Sequence, residues 1–270
     1  AGFGDPEFGS FAAPAAAGTA RGARSLPARV RNLKIAHAPS WDETATNPDA
    51  VPATAAQPQA QPLLTPLPDT RDEILAIAAA LGADPQRTAY FGNRANRQAV
   101  METDLRNRRI VAFATHGLVA GDLPGLDQPA LALAPPPGAD IDAGLLKLEH
   151  ILRLSLNSDL VVLSACNTAA ADGNGAEAVS GLGRGFFYAG ARSVLATHWP
   201  VETVSARELV TQLFQRYART PGVTRAAALR QAMLALIDSG VSRDARGRAE
   251  YSYAHPAFWA PYALYGDPGR

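Results

Sequence analysis

Cysteine is almost absent: Cys166 is the only one in 270 residues. One thiol excludes an intramolecular disulfide and any structural zinc site built from paired cysteines. It fits a reducing compartment. Lysine is nearly absent too, at Lys34 and Lys147 alone, so arginine carries the basic charge. With the heavy alanine content, this composition points to a bacterial chain from a GC-rich genome. Net charge is missing: Lys plus Arg and Asp plus Glu number 25 each. No bulk field therefore draws the chain to nucleic acid or to an acidic membrane surface. No apolar run reaches the roughly 18–20 residues that a membrane-spanning helix needs. No basic segment precedes an apolar core at the N-terminus, so no signal peptide is expected and the location is read as cytoplasmic.

What is present is ample core material, with 47% hydrophobic residues, enough for one large α/β domain or two small ones. Residues 12–68 read as a Pro/Ala/Gln-rich surface insertion, with a short strand conceivable only at 30–36. Order resumes at Asp69, where Asp69 or Thr70 can cap a helix over 71–81 that Gly82 stops. The pattern then predicts a strand at 87–91, a helix at 95–105 and a strand at 109–115. After a Gly/Pro loop come a strand at 130–134, a helix at 145–154 and a strand at 159–165. A Gly-rich loop leads to a helix at 177–189 and a strand at 193–197. Two amphipathic helices, 203–218 and 224–238, follow, the second capped by Thr224. An Arg-rich stretch from Ser242 to Ala249 reads as a solvated loop or a processing site. A last short strand ends the segment 258–266. Strands alternate with helices, and the central strands are apolar throughout. That pattern belongs to a parallel sheet covered on both faces.

In such sheets, sites lie beyond the carboxyl ends of the strands. Cys166 ends the run Leu160-Val161-Val162-Leu163-Ser164-Ala165. His116-Gly117 ends the run Ile110-Val111-Ala112-Phe113-Ala114-Thr115. A thiol becomes a good nucleophile when an imidazole takes its proton. The developing oxyanion then needs amide donors, and Gly117 and Cys166 are placed to supply them. The order His then Cys, and the separation of fifty positions, match the spacing in caspases. Taken singly, each residue also has a plain structural reading, a buried cysteine and a hydrogen-bonded histidine. The tripeptide Ala114-Thr115-His116 recurs as Ala196-Thr197-His198, so either imidazole can serve as base. The glycine-rich surroundings of His116 favour it, because Trp199-Pro200 crowds the alternative. His37, His150 and His255 have no metal-ligand spacing. The run Asp172-Gly173-Asn174-Gly175 lacks the strand–GxxxxGK[ST]–helix order of a phosphate loop. No metal and no cofactor are expected.

Several stretches resemble the CHAT domain, a bacterial caspase-like family related to separases and caspases. They are Phe113-Ala-Thr-His-Gly117, Asp159-Leu-Val-Val-Leu-Ser-Ala-Cys-Asn-Thr168, Gly181-Leu-Gly-Arg-Gly-Phe-Phe-Tyr-Ala-Gly190, Ala191-Arg-Ser-Val194, Trp199-Pro-Val201, Trp259-Ala260 and Tyr265-Gly-Asp267. The opening Gly4-Asp5-Pro6-Glu-Phe8 resembles the family's early strand-and-turn motif, although Glu-Phe and Gly-Ser also occur as vector remnants. The resemblance implies a caspase-like three-layer sandwich with a mostly parallel central sheet and helices on both faces, formed by residues 1–270 as one domain. It implies a Cys166–His116 dyad and cysteine endopeptidase activity. It also implies a protein or peptide substrate, a bacterial gasdermin among those conceivable in a defence role. An upstream sensor module such as TPR repeats is a further implied partner, which would make this chain the C-terminal part of a longer protein. His198 departs from the family pattern, which usually has leucine before the Trp-Pro.

Specificity is expected in the loop after the strand 193–197. Trp199 can wall a pocket there beside His198. Glu202 can pair with a basic substrate side chain or, alternatively, complement the dipole of the following helix. The rival to an enzyme is a latent or non-catalytic binding module whose site opens when a partner docks. A third reading is a thiol acyltransferase or amidohydrolase on a similar sheet.

Overall fold

A computed structural model describes residues 1–8, 64–165, 181–199, 201–243 and 248–269. Six strands form the central sheet: β1 (Gly2–Pro6), β2 (Ala89–Gly92), β3 (Ile110–Ala114), β7 (Leu160–Ser164), β8 (Ser193–Thr197) and β11 (Tyr262–Gly266). Their order is β11-β8-β7-β3-β1-β2. All neighbours run parallel except β11, which pairs antiparallel with β8. A smaller antiparallel sheet joins β4 (Gly117–Leu118), β5 (Ala130–Ala132) and β6 (Leu145–Lys147), and a hairpin joins β9 (Val241–Arg243) to β10 (Ala249–Ser252). The helices are α1 (Asp69–Ala80), α2 (Pro85–Thr88), α3 (Arg97–Glu102), α4 (Leu148–Ile151), α5 (Gly181–Tyr188), α6 (Thr203–Arg219), α7 (Arg225–Asp238) and α8 (Pro256–Trp259).

The period-two geometry of a strand sends successive side chains to opposite faces. Here both faces are buried, which is why the central strands are apolar except at their ends, Ser164, Ser193 and Thr197. Val111, Phe113, Val161, Leu163 and Val194 face one core, closed by Val100 of α3, Ile151 of α4 and Leu182 and Phe186 of α5. Ala112, Ala114, Leu160, Val162 and Leu195 face the other, closed by α1, α6 and α7. The result is the three-layer caspase-like sandwich that the sequence pattern and the resemblance lead one to expect.

The opening residues belong to this sheet. β1 lies between β3 and β2, with Phe3 beside Phe113 and Tyr90. The Phe3 ring stacks on both, at 5.3 and 4.7 Å between centroids. Helix α1 packs so closely on β1 that a Cβ at Gly2 would lie 2.6 Å from Ile74 Cγ2.

Several elements differ from the sequence reading. Strand β8 and the Thr224-capped α7 fall where expected. Helix α1 starts two residues early, after Pro68, with no side-chain cap. Thr70 is instead drawn inward: its Oγ1 accepts from Asp5 N at 2.7 Å and donates to Leu67 O. The segment read as a helix over 145–154 opens as strand β6, because Leu146 and Lys147 pair with Leu131 and Ala130. A helical and a strand reading of a short leucine run cannot be told apart by period alone. Residues 85–88 form a helical turn before β2, since Pro85 sits at a helix start capped by Asp84. The Arg-rich stretch contributes to the β9–β10 hairpin. Most of the insertion, like residues 177–180, lies outside the described residues. Of its last residues, Leu64 and Leu67 are buried, whereas Pro66 and Pro68 are exposed.

Phe186 is fully buried against Phe113, at 5.5 Å between ring centroids, whereas Tyr188 on the same helix is 78% exposed. Phe186→Ala should therefore lower the unfolding free energy by about 3–5 kcal/mol. Tyr188→Ala should change it by less than about 0.5 kcal/mol. Urea unfolding of both variants checks this, and equal losses would contradict the burial assignment.

Candidate active site

β3, β7 and β8 are neighbours in the sheet, and Ala114 stands beside Ser164 in the parallel register. Their carboxyl ends therefore emerge side by side. His116-Gly117 follows β3, Ala165 follows β7, and His198-Trp199 follows β8. Cys166 is the next residue after Ala165 and lies outside the described residues.

The chain around His116 is held from two directions. The Thr115 hydroxyl donates to the Ala132 carbonyl. The His116 carbonyl accepts from Ala132 N at 2.9 Å, and Gly117 pairs with Leu131 in the smaller sheet. The imidazole is 1% exposed, and its Nε2 lies 2.7 Å from the Thr65 carbonyl oxygen. A carbonyl only accepts, so Nε2 carries the proton and Nδ1 is the basic nitrogen of the neutral ring. The Phe8 ring lies 5.6 Å away, tilted by 42°. Phe8 and Leu64 belong with Leu118, Leu123 and Leu126 to a small core beneath this end of the fold.

The end of β7 is also anchored. Ala165 is buried and its carbonyl accepts from the Thr197 hydroxyl. Ser164 Oγ and Tyr262 Oη lie 3.2 Å apart. Thr197 and Tyr262 are themselves register partners across β8 and β11.

His198, the sequence repeat of His116, has a different partner. Its Nε2 lies 2.6 Å from the Tyr265 hydroxyl. Burial raises the Tyr265 pKa and keeps the phenol protonated. Either group can be the donor of this hydrogen bond, according to the His198 tautomer. Trp199, 39% exposed, stands beside His198 with ring centroids 6.4 Å apart. Glu202 is 5% exposed and caps α6, its two carboxylate oxygens accepting from Val204 N at 3.0 Å and Ser205 N at 2.8 Å. That is the geometry of the helix-end alternative for Glu202.

The other histidines have local partners. His150 Nδ1 accepts from Lys147 N at 3.1 Å, and burial, reinforced by Arg97, lowers its pKa and favours that neutral state. His255 Nδ1 accepts from Ala257 N and caps α8. His37 lies outside the described residues. Among the described residues, no group of three or more His, Cys, Asp or Glu can hold a metal ion. Among them, too, no helix is long and apolar enough to cross a membrane.

Sequence reasoning missed Thr65, Thr197 and Tyr262. Thr65 acts through its backbone carbonyl, for which the side chain gives no signal. Thr197 carried one, because it repeats Thr115 in the Ala-Thr-His pair. Tyr265 stood in a quoted motif without a role.

A mostly parallel sheet between two helical layers, with a strand-end histidine beside the strand that leads to the sole cysteine, is the architecture of a caspase-like α/β domain. The CHAT domain family model matches residues 13–267, and the chain belongs to that family, a peptidase-related one. A search of curated protein sequences finds no match.

If Glu202 serves as the α6 cap, Glu202→Ala lowers stability by about 1 kcal/mol and lowers Tm. The preference for the substrate residue before the cleaved bond stays unchanged. A shift away from Arg and Lys in a peptide-profiling assay would instead place the carboxylate in the specificity pocket.

Proposed function

We propose that this chain is a cysteine endopeptidase that uses Cys166 as nucleophile and His116 as general base and acid. The observation that carries the reading is the state of His116. Its Nε2 faces the Thr65 carbonyl and donates to it, so Nδ1 is the nitrogen that takes up a proton in this reading. It follows the strand that runs in register beside the one leading to the sole cysteine. Family membership supports the same reading.

In this mechanism, Nδ1 of His116 takes the thiol proton and the thiolate attacks a peptide carbonyl, forming a C–S bond. The carbonyl oxygen becomes an oxyanion, with the amides of Gly117 and Cys166 as its proposed donors. Collapse breaks the C–N bond, and the imidazolium gives its proton to the departing amine. Water then attacks the thioester as His116 takes its proton. Release of the carboxylic acid restores the thiol. Specificity is assigned to the surface after β8, where His198 and Trp199 stand. The proposed substrate is a protein, a bacterial gasdermin among the candidates. The proposed setting is cytoplasmic, with control by an upstream sensor such as TPR repeats.

A second reading, a site closed until a partner docks, draws support from the burial of the His116 ring. Labelling of Cys166 by a peptidyl electrophile separates the two, since a closed site stays unlabelled. Cys166→Ala and His116→Ala should each lower cleavage of a validated substrate by at least about a thousandfold. Comparison of cleaved proteins between wild type and Cys166→Ala identifies that substrate. Full activity in either variant would sink the dyad.

A further inference from the structure

We propose that Thr70 is a positioning residue for His116, pinning together the two segments that hold the imidazole; the inference rests on the peptidase reading above. His116 is gripped from two sides. The Thr65 carbonyl oxygen lies 2.7 Å from Nε2, and the Phe8 ring lies 5.6 Å from the imidazole between centroids. These partners come from distant parts of the chain. Phe8 lies two residues beyond β1, and Thr65 belongs to the approach to α1. Thr70 touches both segments. Its Oγ1 accepts from Asp5 N at 2.7 Å, near the end of β1, and donates to Leu67 O at 2.7 Å, two residues after Thr65. The side chain is fully buried.

Two further observations favour positioning over simple filling of space. Asp5 takes a φ of 45°, a left-handed conformation uncommon outside glycine. Such strain persists only where the surroundings impose it. In this conformation the Asp5 N–H reaches Thr70, while the Asp5 carboxylate accepts from Arg71 Nε at 2.9 Å. Adjacent residues of α1 thus fasten the end of β1 to the first helical turn. Thr70 also does no work as a helix cap, because α1 begins after Pro68 with no side-chain cap. Valine would match its shape and avoid burying a hydroxyl. Without the hydroxyl, Leu67 O would keep its bond from Thr70 N at 3.0 Å, whereas the Asp5 N–H would lose its acceptor. What the hydroxyl adds is therefore a buried tie between the two segments that meet at His116.

A positioning residue of this kind has a signature that loss of packing lacks. The test uses the full chain as wild type, Thr70→Val, Thr70→Ser and Ile77→Val. Ile77 lies on the same helix, in the core of α1, α6 and α7 rather than the small core beside His116, so its variant controls for loosened packing of α1. Two quantities are measured. The first is hydrolysis of acetylated tetrapeptide coumarin amides carrying Arg, Lys, Asp or Leu before the scissile bond. The second is the ring N–H signal of His116 in proton–nitrogen NMR, assigned by its loss in His116→Gln. Wild type should show a slowly exchanging Nε2–H signal. Thr70→Val should lower kcat by up to about a hundredfold with KM nearly unchanged. Its His116 signal should broaden through exchange with water. Thr70→Ser should restore both, and Ile77→Val should leave both as in wild type. If the valine variant does not fold, Thr70→Ala is judged by the same two readouts. Wild-type kcat or an unchanged His116 signal in folded Thr70→Val, or an equal kcat loss in Ile77→Val, overturns the positioning role alone. A wild-type chain that cleaves no peptide overturns the peptidase reading, while the NMR signal of Thr70→Val still decides whether Thr70 positions the ring.

Discussion

The parallel pairing of β3 with β7 is the constraint on which the rest of the fold depends. Residues Ile110 to Ala114 lie beside Leu160 to Ser164 without a break in register. Because the side-chain period is two, that register assigns every residue of both strands to one of two cores. Val111, Phe113, Val161 and Leu163 go to the layer of α3, α4 and α5, and Ala112, Val162 and Leu160 to the layer of α1, α6 and α7. A slip of one residue would exchange the two sets. It would also separate the ends from which the His116 and Cys166 segments leave the sheet.

Polar groups are confined to the two ends of this apolar slab, and each end is tied across strands. At the amino ends, Asp159 binds Arg109 Nε at 2.6 Å and Arg192 Nη1 at 2.9 Å, joining the approaches to β3, β7 and β8. Ser193 Oγ donates to the Asp159 carbonyl and Ser158 Oγ to the Arg108 carbonyl. The arginines are exposed, so solvent screens these ion pairs and their value is mainly one of alignment. At the carboxyl ends the ties are neutral and buried: Thr115 to Ala132, Thr197 to Ala165, and Ser164 with Tyr262. A buried hydroxyl is tolerable only when bonded, so these contacts hold backbone and side chains in one arrangement.

Local chemistry made much of this legible in the sequence. An apolar run bounded by polar residues located β8 at Ser193–Thr197, and a threonine before an amphipathic stretch located α7. The two histidines and the cysteine could be placed at strand ends for the same reason. What stayed hidden depends on partners distant in sequence. Leu145-Leu146 is a strand only because β5 is there to pair with it. The Thr65 carbonyl reaches His116 across 51 positions. A backbone acceptor leaves no trace in residue type, and a proline-rich approach gave no reason to expect one. Glu202 read equally well as a pocket carboxylate or a helix-end residue, since both uses want the same charge at the same place.

The repeated Ala-Thr-His shows how far local identity goes and where it stops. At both strand ends the threonine does the same thing, donating its hydroxyl to a carbonyl of another segment, Ala132 on β5 for Thr115 and Ala165 just after β7 for Thr197. The histidines then diverge, because the ring state follows from the partner rather than from the tripeptide. A carbonyl beside His116 obliges the ring to donate from Nε2, which leaves Nδ1 basic. The partner of His198 is instead a half-buried phenol, with Nε2 hydrogen-bonded to the Tyr265 hydroxyl. The two rings are thereby held by different kinds of partner, a backbone carbonyl for His116 and a tyrosine hydroxyl for His198.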